Sequence, residues 1–162
     1  MKLEVKIDDR QLRKLAKQFP KAVDRGVYWV AQAAEREVVK TAPDESGSTI
    51  SSVRTDKVGD AKYTVSVNAR GDDGAPYPIF QELGTGLHAE TWSGAPAPNR
   101  HRIYPRTKKF MTWTAKDGTR ISRRSVAGVK PKHFMREALK TIEPRADEIF
   151  RKGMMTALQQ RI

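Results

Sequence analysis

The chain has no cysteine. Disulfides, thiolate zinc sites and thiol nucleophiles are excluded together, and a reducing compartment fits such a sequence. No apolar run approaches the roughly 20 residues needed to cross a bilayer. The opening Met1-Lys2-Leu3-Glu4-Val5-Lys6 alternates charged with apolar residues and lacks a signal-peptide core. Synthesis and action in a cytosol is the resulting expectation, with no role for a membrane. Internal repeats and low-complexity tracts are also missing. The 162 residues, 38% of them hydrophobic, are therefore read as one domain with a modest core.

Catalytic groups are equally scarce. His88, His101 and His133 lie far apart, and none has a carboxylate at the spacing of a metal-binding helix. His88-Ala89-Glu90 lacks the accompanying His and Asn of a nuclease site, so divalent-metal DNA cleavage has no residue set to carry it. Asp44 and Glu45 have no basic or nucleophilic partner at useful spacing. Gly84-Thr85-Gly86 is too short for a dinucleotide fingerprint and has no strand–helix context. Arg70-Gly71-Asp72 is three common residues in a turn-rich segment. The chain is expected to be no enzyme, with no cofactor and no metal.

Acidic residues are thin in one particular place. The net charge is +12, yet residues 1–99 hold 14 Lys/Arg against 14 Asp/Glu. Residues 100–140 hold 13 against 2, and residues 141–162 hold 4 against 3. Such a basic block either forms a solvated face or meets an anionic partner, nucleic acid or an acidic protein surface. Trp92 and Trp113 beside basic residues can stack on exposed bases. Trp113, within an alternating strand, also suits core or interface packing.

Hydrophobic periodicity predicts an α+β chain. A short strand is expected at Leu3–Ile7. Leu12, Leu15, Ala16 and Phe19 then trace one helical face, capped by Asp8 or Asp9. Pro20 is expected to end that helix and start a second, striped by Val23, Val27, Val30, Ala31, Ala34 and Val38 and ended by Pro43. Residues 53–58 and 63–68 read as a hairpin turning at Gly59-Asp60. Residues 87–105 read as a long loop for a partner to order. Residues 109–114 and 120–123 read as a basic hairpin turning at Lys116-Asp117-Gly118-Thr119. A last helix, carrying Ala138, Ile142, Ala146, Ile149, Gly153 and Ala157 on one line, is expected from about His133 and kinked at Pro144. The fold class is thus a small antiparallel β-sheet packed by N-terminal helices and a long C-terminal helix.

Three segments stand out as turns and anchors. The first is Pro43-Asp44-Glu45-Ser46-Gly47-Ser48-Thr49-Ile50-Ser51-Ser52-Val53. Here proline stops the helix and Gly47 permits a left-handed turn. Thr49 stands at a position for an apolar residue, with Ile50 beside it to take the packing role. The second is Tyr77-Pro78-Ile79-Phe80-Gln81-Glu82-Leu83-Gly84-Thr85-Gly86. Its apolar residues suit packing on the second helix or on a neighbouring subunit, with Glu82 pairing a basic group there. The third runs from Ile103-Tyr104-Pro105 to Gly128-Val129-Lys130-Pro131-Lys132-His133-Phe134-Met135-Arg136-Glu137-Ala138-Leu139. In it Pro131 fixes the approach to the last helix, and Phe134 and Leu139 anchor it.

In that order, the segments resemble the tail-component family of tailed phages typified by gene product 10 of phage HK97. The first is similar to the family's Pro-x-Asp-Thr-Gly-x-Leu-x-x-Ser-Ile pattern, with agreement at Pro43, Gly47 and Ser52. The second is similar to its aromatic-x-x-Phe/Glu-x-Gly-Thr-Gly pattern. The third is similar to its Gly-x-Lys-Pro-x-x-Phe-Met/Leu-Arg-x-Ala-Leu approach to the last helix, departing at Ala127, where proline is common.

The resemblance implies a structural virion protein of the neck, a tail-completion or tail-terminator component. It would form a homo-oligomeric ring, a hexamer in the family's symmetry, at the head–tail junction after assembly in the host cytoplasm. Its partners would be itself, head-completion or adaptor proteins and tail-tube proteins, with genomic DNA passing through. Residues 1–162 would be a single domain carrying an insertion at about 87–128. The expected partner surface comprises Tyr77, Phe80, Glu82, Trp92, Tyr104, Arg106, Lys108, Lys109, Trp113, Arg123 and Arg124. Pro43, Gly47, Gly84, Gly86, Gly128, Pro131, Phe134 and Leu139 are the expected turns and anchors. The alternative is a free nucleic-acid-binding protein using residues 100–140.

Overall fold

The computed structural model describes residues 10–43, 47–71, 74–115 and 117–159. It gives a mixed α+β chain, as the periodicity predicts. The elements are α1 (Arg10–Thr41), α2 (Ser48–Ser51), β1 (Val53–Gly59), β2 (Lys62–Val67), α3 (Tyr77–Leu83), β3 (Met111–Thr114), β4 (Arg120–Arg123), α4 (Phe134–Ile142) and α5 (Ala146–Gln159). Short 3-10 turns occupy Gly86–His88 and Glu143–Arg145. Two separate two-stranded antiparallel ladders, β1-β2 and β3-β4, replace the single small sheet. The chain clusters into two compact units: one takes residues up to Lys40, 53–66 and from Ala138 onward, the other 41–52 and 67–137.

In the first unit the N-terminus differs from expectation. A single helix runs through Pro20 instead of breaking there. Proline removes one amide donor, but Phe19 and Pro20 are exposed, where solvent can serve the orphaned carbonyl. The strand expected at Leu3–Ile7 lies outside the described residues. Ala22, Ala31 and Val38 bury the inner face of α1. A Cβ placed on Gly26 would lie 2.6 Å from the Phe150 ring, and one on Gly153 would lie 3.1 Å from the Gly26 Cα. Glycine on both helices therefore lets α1 and α5 touch almost backbone to backbone.

The β1-β2 hairpin docks on α1 through Asp24. Its carboxylate accepts from Lys57 Nζ at 2.8 Å, the Tyr63 hydroxyl at 3.0 Å and the Ala61 amide at 3.1 Å. The Lys57 bond is the main reason the carboxyl is held below its ordinary 3.8, against a smaller opposing effect of burial. Asp24 also explains a one-residue shift in the turn. Gly59 stays in β1, and Ala61 takes the positive φ of 46° while its amide is held by the carboxylate.

The C-terminal segment splits at Pro144 as expected, with a 3-10 turn between α4 and α5. Phe134, Ala138 and Ile142, spaced four apart, are the buried residues of α4. Leu139 follows Ala138 by about 100° around the helix and is 58% exposed, so it is not the anchor expected of it. Phe134 is 1% exposed. Phe134→Ala is accordingly expected to lose about 3 kcal/mol or more in urea unfolding, and Leu139→Ala no more than roughly 0.5 kcal/mol. Equal losses would show that the helix face has been assigned wrongly.

Candidate functional site

Apart from Val53, Ala138 and Leu139, the described parts of the three sequence segments fall in the second unit, where hydrogen bonds join the second segment to the third. Gly84-Thr85-Gly86 runs against Ala127-Gly128-Val129. The Thr85 amide donates to the Val129 carbonyl at 2.9 Å, and the Leu87 amide to the Ala127 carbonyl at 2.7 Å. The Val129 amide donates to Thr85 Oγ1 at 2.9 Å. A Cβ on Gly128, at φ +101°, would sit 2.1 Å from the Thr85 carbonyl oxygen; one on Gly86, at φ +63°, would sit 2.3 Å from that of Ala127. Glycine is required at this crossing both for conformation and for space. Pro131 packs beside it, with its Cδ 2.8 Å from where a Gly84 Cβ would be.

Glu82 completes the joint, in a role other than the one expected. It is 1% exposed, so it faces no partner. One carboxylate oxygen accepts from the Met135 amide at 2.8 Å and the other from the Arg136 amide at 3.2 Å. The reason lies in the approach to α4. Pro131-Lys132-His133 supplies no Ser, Thr, Asp or Asn at the helix start, so the first amides need an acceptor from elsewhere. A helix start without a local cap was the signal in the sequence for this role. Thr41 Oγ1 donates to the Phe134 carbonyl at 2.8 Å, tying the residue two before Pro43 to the same helix start.

Gly47, at φ +67°, makes the left-handed turn predicted for it, leading into α2. Thr49 itself is buried at 4% exposure, so Ile50 does not take over its packing role. Pro43 follows the end of α1, while Asp44, Glu45 and Ser46 lie outside the described residues.

Residues 87–105 are not the open loop expected. Glu90 and Pro96 form an isolated bridge, and Ile103 pairs with Val126. The guanidinium of Arg136 donates to the Trp92 carbonyl at 3.0 Å, and His133 Nε2 lies 3.3 Å from the Glu90 carboxylate. The backbone here is ordered by the chain itself. Prolines, alanines and short polar side chains gave no periodicity from which to read that.

The rest of the expected partner surface is exposed. On α3, Pro78 and Glu82 turn inward, leaving Tyr77 (47% exposed), Ile79 and Phe80 outward. Tyr77 and Phe80 meet edge to face at 6.4 Å. Trp92 and Tyr104 are 59% and 62% exposed. β3 and β4 pair antiparallel, Met111 with Arg123 and Trp113 with Ile121, around the predicted Asp117-Gly118 turn. Met111, Trp113, Ile121 and Arg123 thus share one face of the ladder, and Thr112, Thr114, Arg120 and Ser122 the other. Trp113 is 41% exposed and so stands at the surface rather than in a core. Arg124 lies over the Phe110 ring at 5.7 Å. Arg106, Lys108, Lys109 and Arg123 are exposed around them.

Exposed aromatic side chains and exposed cations thus recur through these segments. Among the described residues, no group of three or more His, Asp or Glu is placed to hold a metal ion, and no helix is long and apolar enough to cross a membrane. Comparison of the chain with protein-family models, curated proteins and solved structures finds no match.

Proposed function

We propose that this chain is a structural component of the head–tail junction of a tailed-phage virion, forming a ring that completes or terminates the tail. The reading rests on the resemblance of the three segments. The observation that carries it further is how the second unit divides its residues. Gly84, Gly86, Gly128, Pro131 and Glu82 are consumed in fixing one internal joint. Tyr77, Phe80, Trp92, Tyr104, Arg106, Lys108, Lys109, Phe110, Trp113, Arg120, Arg123 and Arg124 are left outward. A part of an assembly needs such a division: a rigid frame and a desolvatable, charged contact surface. In this reading the ring is a hexamer, contacts adaptor and tail-tube proteins, and lets genomic DNA pass.

The test is charge reversal. Arg106→Glu, Lys108→Glu and Lys109→Glu together are expected to leave the monomer folded, since all three side chains are exposed, and to block head–tail joining in an infection assay. Normal yields of infectious particles from that variant would sink the proposal. So would one copy, or a symmetric dimer, at the junction of assembled particles. The second reading, free nucleic-acid binding, is favoured by the interleaving of Phe110 and Trp113 with Arg120, Arg123 and Arg124. It requires tight binding to naked duplex DNA that falls steeply with salt.

A further inference from the structure

We infer that the groove between α1 and α5 is a docking site for an acidic, amphipathic helical segment of a partner protein. The groove lies within the first unit, outside the basic block of residues 100–140. It encloses about 510 Å³. One wall is a single stripe of α1, from Arg25 through Tyr28 and Trp29 to Arg36; the other is Arg145, Ile149 and Lys152. Gly153 touches Gly26 and Trp29, while Arg145 and Ile149 share the groove with residues as far along α1 as Arg36, so the two helices run antiparallel. Lys152 therefore stands near Arg25 at one end, and Arg145 near Arg36 at the other. Eleven residues separate Arg25 from Arg36, which at 1.5 Å per residue puts the two cationic ends roughly 16 Å apart.

Between those ends lie Tyr28, Trp29, Ala33 and Ile149, with the polar side chain of Gln32 among them. Tyr28, Trp29 and Ile149 are half-buried, while the four cations are exposed. Arg25 is held over the Tyr28 ring at 5.5 Å. Two carboxylates are bonded to lining residues, Glu148 to Lys152 and Glu35 to Gln32, against four cations in the lining. This pattern fits an occupant with carboxylates at both ends and apolar side chains between, which a helix of about three turns supplies at i, i+3, i+4 and i+7. A nucleic-acid backbone fits it less well, since its charges recur about every 3.4 Å along each strand and would lie over Tyr28, Trp29 and Ile149. Charge complementarity and the spacing of the two ends together select the acidic helix. The inference does not depend on the ring reading or on residues 100–140.

The test uses the full chain and a labelled, helix-stabilised peptide of about four turns, with glutamates at both ends and leucines along one face between them. Fluorescence anisotropy is expected to show saturable binding that weakens as salt is raised. Arg36→Glu with Arg145→Glu, both at exposed positions, is expected to reduce affinity about tenfold or more without changing the circular dichroism. The Arg106, Lys108 and Lys109 reversals should leave the peptide's affinity unchanged, which separates this site from the proposed junction surface. Equal binding of a peptide with lysine ends would overturn the inference, as would unchanged affinity in the double variant. Displacement of the peptide by a DNA duplex would reassign the groove to polyanions. Self-association abolished by the same double variant, with no peptide binding, would make it a contact between copies.

Discussion

Gly128→Ala is expected to destabilise the chain by about 3 kcal/mol or more, because two separate penalties fall on one methyl group. The φ of +101° is a region that L side chains rarely adopt, and the new Cβ would begin 2.1 Å from the Thr85 carbonyl oxygen. Neither penalty can be relieved locally. That oxygen belongs to backbone whose own amide is committed to Val129, and the next residue, Gly86, lies with its Cα 3.0 Å from the same Cβ. Gly118→Ala is the control. It also carries a positive φ, +83°, but nothing lies within 4 Å of the added Cβ, so only conformational strain of roughly 1 kcal/mol should remain. Urea unfolding of the two variants separates crowding from strain. If Gly128→Ala loses no more than Gly118→Ala, the two segments do not cross as closely as described.

That crossing marks where the sequence was legible and where it was not. Glycines and prolines announce turns because their backbone requirements are local, and Pro43, Gly47, Gly84, Gly86 and Gly128 all fall at turns or chain crossings. The hairpin at residues 111–123 and the break at Pro144 were readable for the same reason. Other features depend on partners distant in sequence. Pro20 reads as a helix break in a window of ten residues, yet α1 continues through it. Leu139 reads as an anchor by its apolarity, but Ala138, one residue away, faces inward. Trp29 and Ile149 line one groove although 120 positions separate them, and the periodicity of either helix alone shows only that each has an apolar side.

Glu82 is the clearest case of a role that only the fold reveals, and its removal is the second large effect expected. Glu82→Ala takes one acceptor from the Met135 amide and another from the Arg136 amide, at a site where the carboxylate had excluded water. Hydrogen bonds to a charged group contribute about 1.5–3 kcal/mol each, and donors left unsatisfied add to the loss. The substitution also leaves a cavity where the side chain was 1% exposed. A total of about 3 kcal/mol or more is the expected result in urea unfolding. Glu82→Gln keeps the shape and one acceptor oxygen but turns an NH2 group towards the second amide, so its loss should fall between those of wild type and alanine. Hydrogen exchange supplies the local readout. The Met135 and Arg136 amides should exchange faster in both variants under conditions where the Asp24-held hairpin amide of Ala61, in the other unit, keeps its protection. Should Glu82→Ala unfold at the wild-type urea midpoint, the cap on α4 would contribute nothing to stability, and Glu82 would return to consideration as a residue kept for a partner.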